Sequence, residues 1–492
     1  MNIEQKKQII DSLCRKNYIF SPDVLTRIPT NYDIDAFLRL ESQIPRLDKA
    51  TYIPGDKFSE LLGITVDIEQ FYKDVKIVRS HVSEIKKREV AHFVSYFKNR
   101  FDKVRDILLG HVELTNAISI KRVLEKKAKE KVAFIGMVRE KAVTKKGNII
   151  LELEEPSGKT IKVVVNKERK ELVESIMKVV YDEVIGITGS VGEGIFFANS
   201  IIFPDIPLGK ELKKLPDNYF TAFISDIHVG SKMFLADEFD RLVGWINGEV
   251  GTPEQKDIAK RIKYLFVVGD IVDGVGIYPE QDKELTIKDI YEQYNEAARQ
   301  FSRMRPDLQL IMCGGNHDAM RLAEPQPLLD KRYAKALYEL PNITMVNNPA
   351  VVNIHSSQNF PGFDVLMYHG YSYDYYVANV DELRNSGGYD RADLIMKFLL
   401  QKRHLSPSHG STLYLPDTQT DPLVIDMVPD IFVSGHIHKA NTGQYRNIST
   451  ISSSCWQAKT IFQERVGHKP EPARVPVVDL KTRQIKMMRF GE

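Results

Sequence analysis

Between residues 223 and 433, five short apolar runs each lead into a cluster of polar residues. They are Phe223-Ile224, Tyr264-Leu265-Phe266-Val267-Val268, Leu310-Ile311-Met312-Cys313, Val365-Leu366-Met367 and Ile431-Phe432-Val433. Each reads as a strand bounded by loop residues. Upstream the pattern changes. Ile3, Ile9, Ile10 and Leu13 recur near helical spacing, and Ser21-Pro22-Asp23 reads as an N-cap with proline at the first helical position, so residues 1–45 are expected to form a small helical module. Residues 46–85 show no clear period, and Pro54-Gly55 marks a turn. Val90, Phe93, Val94, Phe97, Phe101, Val104 and Leu108 then fall on one face of a helix closed by Gly110. This stripe is expected to be core, and the opposite face, with Lys98, Arg100, Lys103 and Arg105, to be solvated. Residues 46–114 thus read as a linker followed by an amphipathic helix.

Residues 115–205 have a different rhythm. A basic run (Lys121, Arg122, Lys126, Lys127, Lys129, Lys131) precedes strand-like segments at 132–138, 149–153 and 161–165; a helical segment, 171–179, follows, and two more strands, 184–191 and 195–202, close the unit. Lys145-Lys146-Gly147-Asn148 suits a hairpin turn. Three strands, a helix and two strands suggest an OB-like barrel. Such barrels often bind single strands through aromatics and positive grooves. Here strand aromatics are few (Phe134, Phe196, Phe197), so protein docking is an equally good reading. Pro204, Pro207 and Pro216 lead into a last domain, residues 218–492.

With 492 residues, two or three domains are expected. A net charge of +2 announces no nucleic-acid partner by itself. Cys14, Cys313 and Cys455 lie far apart, which indicates neither a disulfide framework nor a structural zinc and suits a reduced, intracellular setting. No stretch reaches the roughly 18 apolar residues of a membrane span, and Met1 to Ile10 carries no signal-peptide core, so no membrane association is expected.

The chemistry lies where the five apolar runs end. There stand Asp226-Ile227-His228, Gly269-Asp270, Gly315-Asn316-His317-Asp318, His369-Gly370 and Gly435-His436-Ile437-His438. Ligands gather beyond the carboxyl ends of strands in α/β sheets, and carboxylate, imidazole and amide oxygen suit Mn, Fe or Zn. Two divalent ions about 3.5–4 Å apart can clamp a phosphate and activate water. Such a pair needs an anionic bridge, for which Asp270 is the natural candidate. A lone Asp-x-His is more often a turn than a ligand pair; five motifs in this order are not so explained. Five of the twelve histidines lie in them; His355, His404 and His409 have no such context and read as ordinary core or surface histidines.

These motifs resemble those of the calcineurin-like metallophosphoesterases. The resemblance implies a four-layer α/β/β/α domain in which Asp226, His228 and His438 hold one metal, Asn316, His369 and His436 hold the other, and Asp270 bridges them. It also implies that His317 faces the scissile phosphate without ligating and that Asp318 orients His317. The order of helical N-terminus, OB-like barrel and phosphoesterase is similar to that of the small subunits of archaeal family-D DNA polymerases. The stretches Arg384 to Pro407 and Ile451 to Gln457 resemble segments peculiar to that family. The fold class expected is therefore α/β and multi-domain. That family implies a binuclear 3′→5′ exonuclease, two divalent metals (Mn²⁺ first, Fe or Zn as alternatives), a large catalytic subunit and single-stranded DNA 3′ ends as partners, and a cytoplasmic, nucleoid-associated setting. Related eukaryotic subunits have lost the ligands that this chain keeps. A structural subunit with little nuclease activity and a free-standing phosphoesterase are the competing readings.

Overall fold

The computed structural model describes residues 3–19, 37, 41, 44–46, 51–52, 75–81, 87–416, 420–465 and 467–491. Ser21-Pro22-Asp23 and Pro54-Gly55 lie outside the described residues. The first helix, Ile3–Cys14, buries Ile9 and Leu13.

Two six-stranded sheets form the body of the C-terminal domain. In the first, the order is Ile343–Met345, Gln309–Cys313, Ile262–Val268, Phe220–Ile224, Arg474–Asp479 and Ile485–Arg489. Its first four strands are parallel. In the second, the order is Asn441–Tyr445, Ile448–Ser452, Ile431–Ser434, Phe363–Met367, Ala350–Ile354 and Val75–Ser80. The alternation of side chains shows how the layers stack. Tyr264, Phe266 and Val268 point between the sheets, where they meet Val365, Met367, Ile431 and Val433 of the other sheet. Leu265 and Val267 point outward onto the helices Ala236–Ile246, Pro253–Arg261 and Ile290–Ser302. Leu366 and Phe432 point the opposite way, onto Tyr373–Asn379 and Ala392–Lys402. Strands covered on both faces read as unbroken apolar runs, which is why these five stood out. The result is helix, sheet, sheet, helix.

Val75–Ser80 corrects the linker reading of 46–85. It pairs antiparallel with Ala350–Ile354 and completes the second sheet. Its exposure pattern supplies the reason it was missed: Ile77 and Val78 are exposed side by side, so an edge strand shows no clean alternation.

Five strands close a barrel in the order Lys131–Val143, Ile149–Glu154, Thr160–Val165, Phe196–Ile202 and Val184–Val191. The third and fourth of these pair in parallel, while Lys170–Met177 bridges the third strand and Val184–Val191 in sequence. This is the arrangement of an OB fold. Phe134 and Phe196 fill the barrel interior, edge to face at 5.0 Å.

The helix Val90–Leu108 lies between barrel and body. Phe101, Val104 and Leu108 are buried as expected, whereas Val90 and Val94 are 80% and 63% exposed, so the stripe is core only over its second half. Arg100, expected in solvent, is buried. Its Nε donates to Asp421 Oδ2 at 2.7 Å, it also donates to the Pro407 carbonyl, and its guanidinium lies against the rings of Tyr96, Phe97 and Tyr414. A second buried ion pair, Lys402 Nζ to Glu183 Oε2 at 2.8 Å, ties body to barrel. Arg403 donates to the carbonyls of Asp205, Ile425 and Asp426. The stretch Arg384 to Pro407 thus supplies much of the joint between barrel and body.

Candidate metal centre

The five strand ends converge. Asp226 and His228 follow Phe220–Ile224, Asp270 follows Ile262–Val268, and Asn316 follows Gln309–Cys313. His369 follows Phe363–Met367, and His436 and His438 follow Ile431–Ser434. The two sheets therefore each contribute one wall of the cleft. Asp226, His228, Asp270, His436 and His438 all have positive φ, between 50° and 74°. Non-glycine residues rarely adopt this left-handed conformation, and its cost is accepted mainly where side chains must be aimed. Gly315 and Gly435 allow the close approach: a Cβ on the first would strike the Asp270 carboxylate, and on the second the Asp226 carboxylate.

All seven sequence-predicted ligand positions come together. Asp226, His228 and His438 bring ligand atoms within 4.8 Å of one another, as do Asp226, Asp270 and His369. Asn316 Oδ1 is 3.0 Å from both His369 Nε2 and His436 Nδ1. Asp270 Oδ2 sits between the two histidine groups, 3.9 Å from His228 Nε2 and 3.3 Å from His369 Nε2.

The donor set itself tests whether cations fit. His228 Nδ1 faces the Asp273 carboxylate at 3.0 Å, and His369 Nδ1 faces the Val268 carbonyl at 2.8 Å. His436 Nε2 faces Asp374 Oδ2 at 3.0 Å. Each of these nitrogens must carry the proton, so the other nitrogen of each ring turns a lone pair inward. Lone pairs of imidazole, carboxylate and amide then face one another at 3.0–3.9 Å. That geometry is repulsive unless a cation lies among them. The carboxylate oxygens of Asp226 and Asp270 thus lie against the inward nitrogens of His438, His228 and His369. The residues therefore fit divalent metal ions.

His317 stands apart. Its Nδ1 is 2.8 Å from the Asp273 carbonyl, and its ring meets that of His228 edge to face at 4.6 Å. Burial lowers its pKa, against the pull of Asp270. Asp318 does not orient His317, which corrects the expectation. Its carboxylate accepts from the backbone N–H of Gly315, Ile271 and Val272 and from the Tyr294 hydroxyl. It is spent on bracing the loops that carry Asp270 and Asn316. Burial and the nearby Asp270 push it up to about 6.

Sequence reasoning missed three supporting groups. Asp273 holds His228 by its carboxylate and His317 by its carbonyl. Gln457 donates to Asp273 Oδ1 at 2.8 Å, and the neighbouring Trp456 N–H donates to the Asp226 carbonyl, which gives the stretch 451–457 its place behind the site. Asp374 holds His436. Asp273 lies three residues beyond Asp270 and was within reach of the motif reading; nothing local marked Asp374.

Residues 221–440 match the calcineurin-like phosphoesterase family. The chain is 40% identical over 403 residues to the DNA polymerase II small subunit of Methanothermobacter thermautotrophicus, covering 82% of this chain and 80% of that protein. It is 38% identical over 405 residues to the protein of the same name from Pyrococcus furiosus, covering 82% and 64%. Against that of Archaeoglobus fulgidus it is 37% identical over 404 residues, covering 82% and 78%.

Proposed function

Because the chain belongs to the family of archaeal DNA polymerase II small subunits, we propose that it is the proofreading partner of a large polymerase subunit, a 3′→5′ exonuclease that removes nucleotides from unpaired DNA ends. The observation that carries this reading is the convergence of seven ligand-type side chains with inward lone pairs beside a histidine that faces the same space. Asp226, His228 and His438 would hold one divalent ion, and Asn316, His369 and His436 the other, with Asp270 shared. Mn²⁺ is the first candidate and Fe or Zn the alternatives. When bound, two such ions supply Lewis acidity toward a phosphodiester and lower the pKa of water.

The chain's own residues do the rest. His317 Nδ1–H donates to the Asp273 carbonyl, which fixes the ring and leaves Nε2 to exchange a proton. As the water oxygen bonds to phosphorus and the bond to the 3′ oxygen breaks, protonated His317 Nε2 gives its proton to that leaving oxygen, and the proton shed by the water passes to solvent, from which His317 is protonated again. Asp318 acts at one remove, holding the Asp270 and Asn316 loops in register. No helix among the described residues is long and apolar enough to cross a membrane.

The test is hydrolysis of 3′- and 5′-labelled single-stranded DNA by the purified chain, with and without large subunit, in Mn²⁺ and in chelator. Stepwise shortening from the 3′ end that needs the metal supports the reading. Release of phosphate from small esters with DNA left whole would favour the free-standing phosphoesterase instead.

A further inference from the structure

The metal centre carries at its side an apolar loop that the proposed chemistry does not use. Residues 273–281 read Asp-Gly-Val-Gly-Ile-Tyr-Pro-Glu-Gln. Val275 and Ile277 are 50% and 39% exposed, and Tyr278 is half-buried with its ring 6.4 Å from that of His317. The loop is braced rather than loose. Gly274 N–H donates to Gln293 Oε1 and Ile277 N–H to Gln281 Oε1, both at 2.9 Å. The Gln281 amide donates in turn to the carbonyl and the carboxylate of Asp273, and the Tyr278 hydroxyl donates to Glu284 at 2.9 Å. Asp273 is the residue that also holds His228 and His317. Loop and reacting groups therefore share one frame. Gly274 permits this at φ +75°, where a Cβ would strike the His317 carbonyl.

One exposed aliphatic side chain needs no explanation. Here two aliphatic side chains and a tyrosine occupy positions 275, 277 and 278, beside the cleft that gathers the ligand-type side chains. Apolar surface held in water is unfavourable until something apolar covers it. DNA offers such surface as the faces of its bases, and a terminal base exposes its faces when it is unpaired and unstacked. We infer that Val275, Ile277 and Tyr278 seat the base of the 3′-terminal nucleotide, so that an end is selected for being unpaired before its phosphodiester reaches His317. This rests on the nuclease reading and adds the means of choosing substrate.

The experiment uses the full chain with its large subunit and two oligonucleotides, one ending in an ordinary nucleotide and one whose last sugar carries no base. Val275→Ser/Ile277→Ser changes the two exposed aliphatic side chains, and an unfolding midpoint equal to wild type checks that the fold is retained. Removing the base should raise the wild-type KM about tenfold, the scale of one lost base contact. The double variant should show that rise on the ordinary end and no further rise on the baseless one, with kcat unchanged. Penalties that multiply would mean that the loop does not touch the base and would overturn the inference. Tyr278→Phe should keep the wild-type KM where Tyr278→Ala loses it; equal loss in both points to the Glu284 bond instead of the ring and removes Tyr278 from the seat. A second readout is independent of hydrolysis. In chelator, a terminal 2-aminopurine should change its fluorescence on binding wild type and not on binding the double variant; identical responses overturn the inference. If no DNA is cleaved by any form yet the fluorescence difference persists, the nuclease reading fails and the base seat stands.

Discussion

Two buried polar clusters hold this molecule's interest, and they solve the same electrostatic problem in opposite ways. The joint between barrel and body sets Arg100 against Asp421, Lys402 against Glu183, and His404 Nε2 against Asp421 at 2.9 Å. Charge there is balanced within the chain. The metal centre gathers carboxylates, inward imidazole lone pairs and an amide oxygen, and leaves its positive charge to be brought from outside. Burying an ion pair costs desolvation that attraction only partly returns, so the joint adds specificity of docking more than stability. What the contrast teaches is that burial of charge does not by itself mark a binding site. A cluster that lacks its own counter-charge does.

The sharpest way to break this comparison is to remove one carboxylate from each cluster. Asp270→Ala should abolish metal retention and, with the shared ligand of the metal pair gone, hydrolysis should collapse. Without metal, the same change relieves lone-pair repulsion, so the urea midpoint of the metal-free protein should stay or rise. Elemental analysis and a urea titration in chelator check both halves. Full metal occupancy with wild-type activity would end the assignment of Asp270.

His317→Ala should keep the metals and lower hydrolysis by roughly 10²–10⁴, the scale of a general acid. Loss of metal in that variant would make His317 a ligand and redraw the division of roles.

At the joint, Asp421→Ala leaves Arg100 buried without its partner and should cost about 3–5 kcal/mol, read from urea unfolding. An unchanged midpoint would mean that the joint carries no balanced charge worth the name.

The smallest effect is a pH dependence. Burial and the neighbouring Arg100 lower His404 from 6.5 to about 4. Its Nδ1 accepts from Ser406 N–H, which leaves Nε2–H to donate to Asp421, so the ring is neutral in the fold. The unfolded chain binds the proton first, and stability must fall as pH drops from about 6.5 toward 4. Between pH 7 and pH 5 this amounts to about 2 kcal/mol. His404→Gln should flatten that interval, and an equally steep fall in the variant would place the titration elsewhere.

The two clusters also differ in how far the sequence reveals them. Each ligand stands within a few residues of an apolar run, so strand and chemistry are read together in one short window. The joint pairs residues 321 apart, Arg100 with Asp421, and no local pattern distinguishes a buried arginine on a helix from its solvated neighbours. Asp318 was misread for the same reason in miniature: adjacency to His317 in sequence does not set where its carboxylate points, and three backbone N–H groups claimed it. The barrel was legible from its succession of strands and helix, but the edge strand Val75–Ser80 was not, because its register is imposed by Ala350–Ile354 across the fold.

That edge strand has a consequence for how the protein is made. Val75–Ser80 leaves the ribosome long before its partner Ala350–Ile354, and the whole barrel and most of the first sheet are synthesised in between. At about 5–20 residues per second, the wait is on the order of tens of seconds. Throughout it an early segment must stay unpaired beside a barrel that can already close, with Ile77 and Val78 open to other nascent chains. The second sheet is therefore completed from both ends of the message. An interruption of translation between residues 80 and 350 therefore releases a chain that holds this strand without the partner that pairs with it.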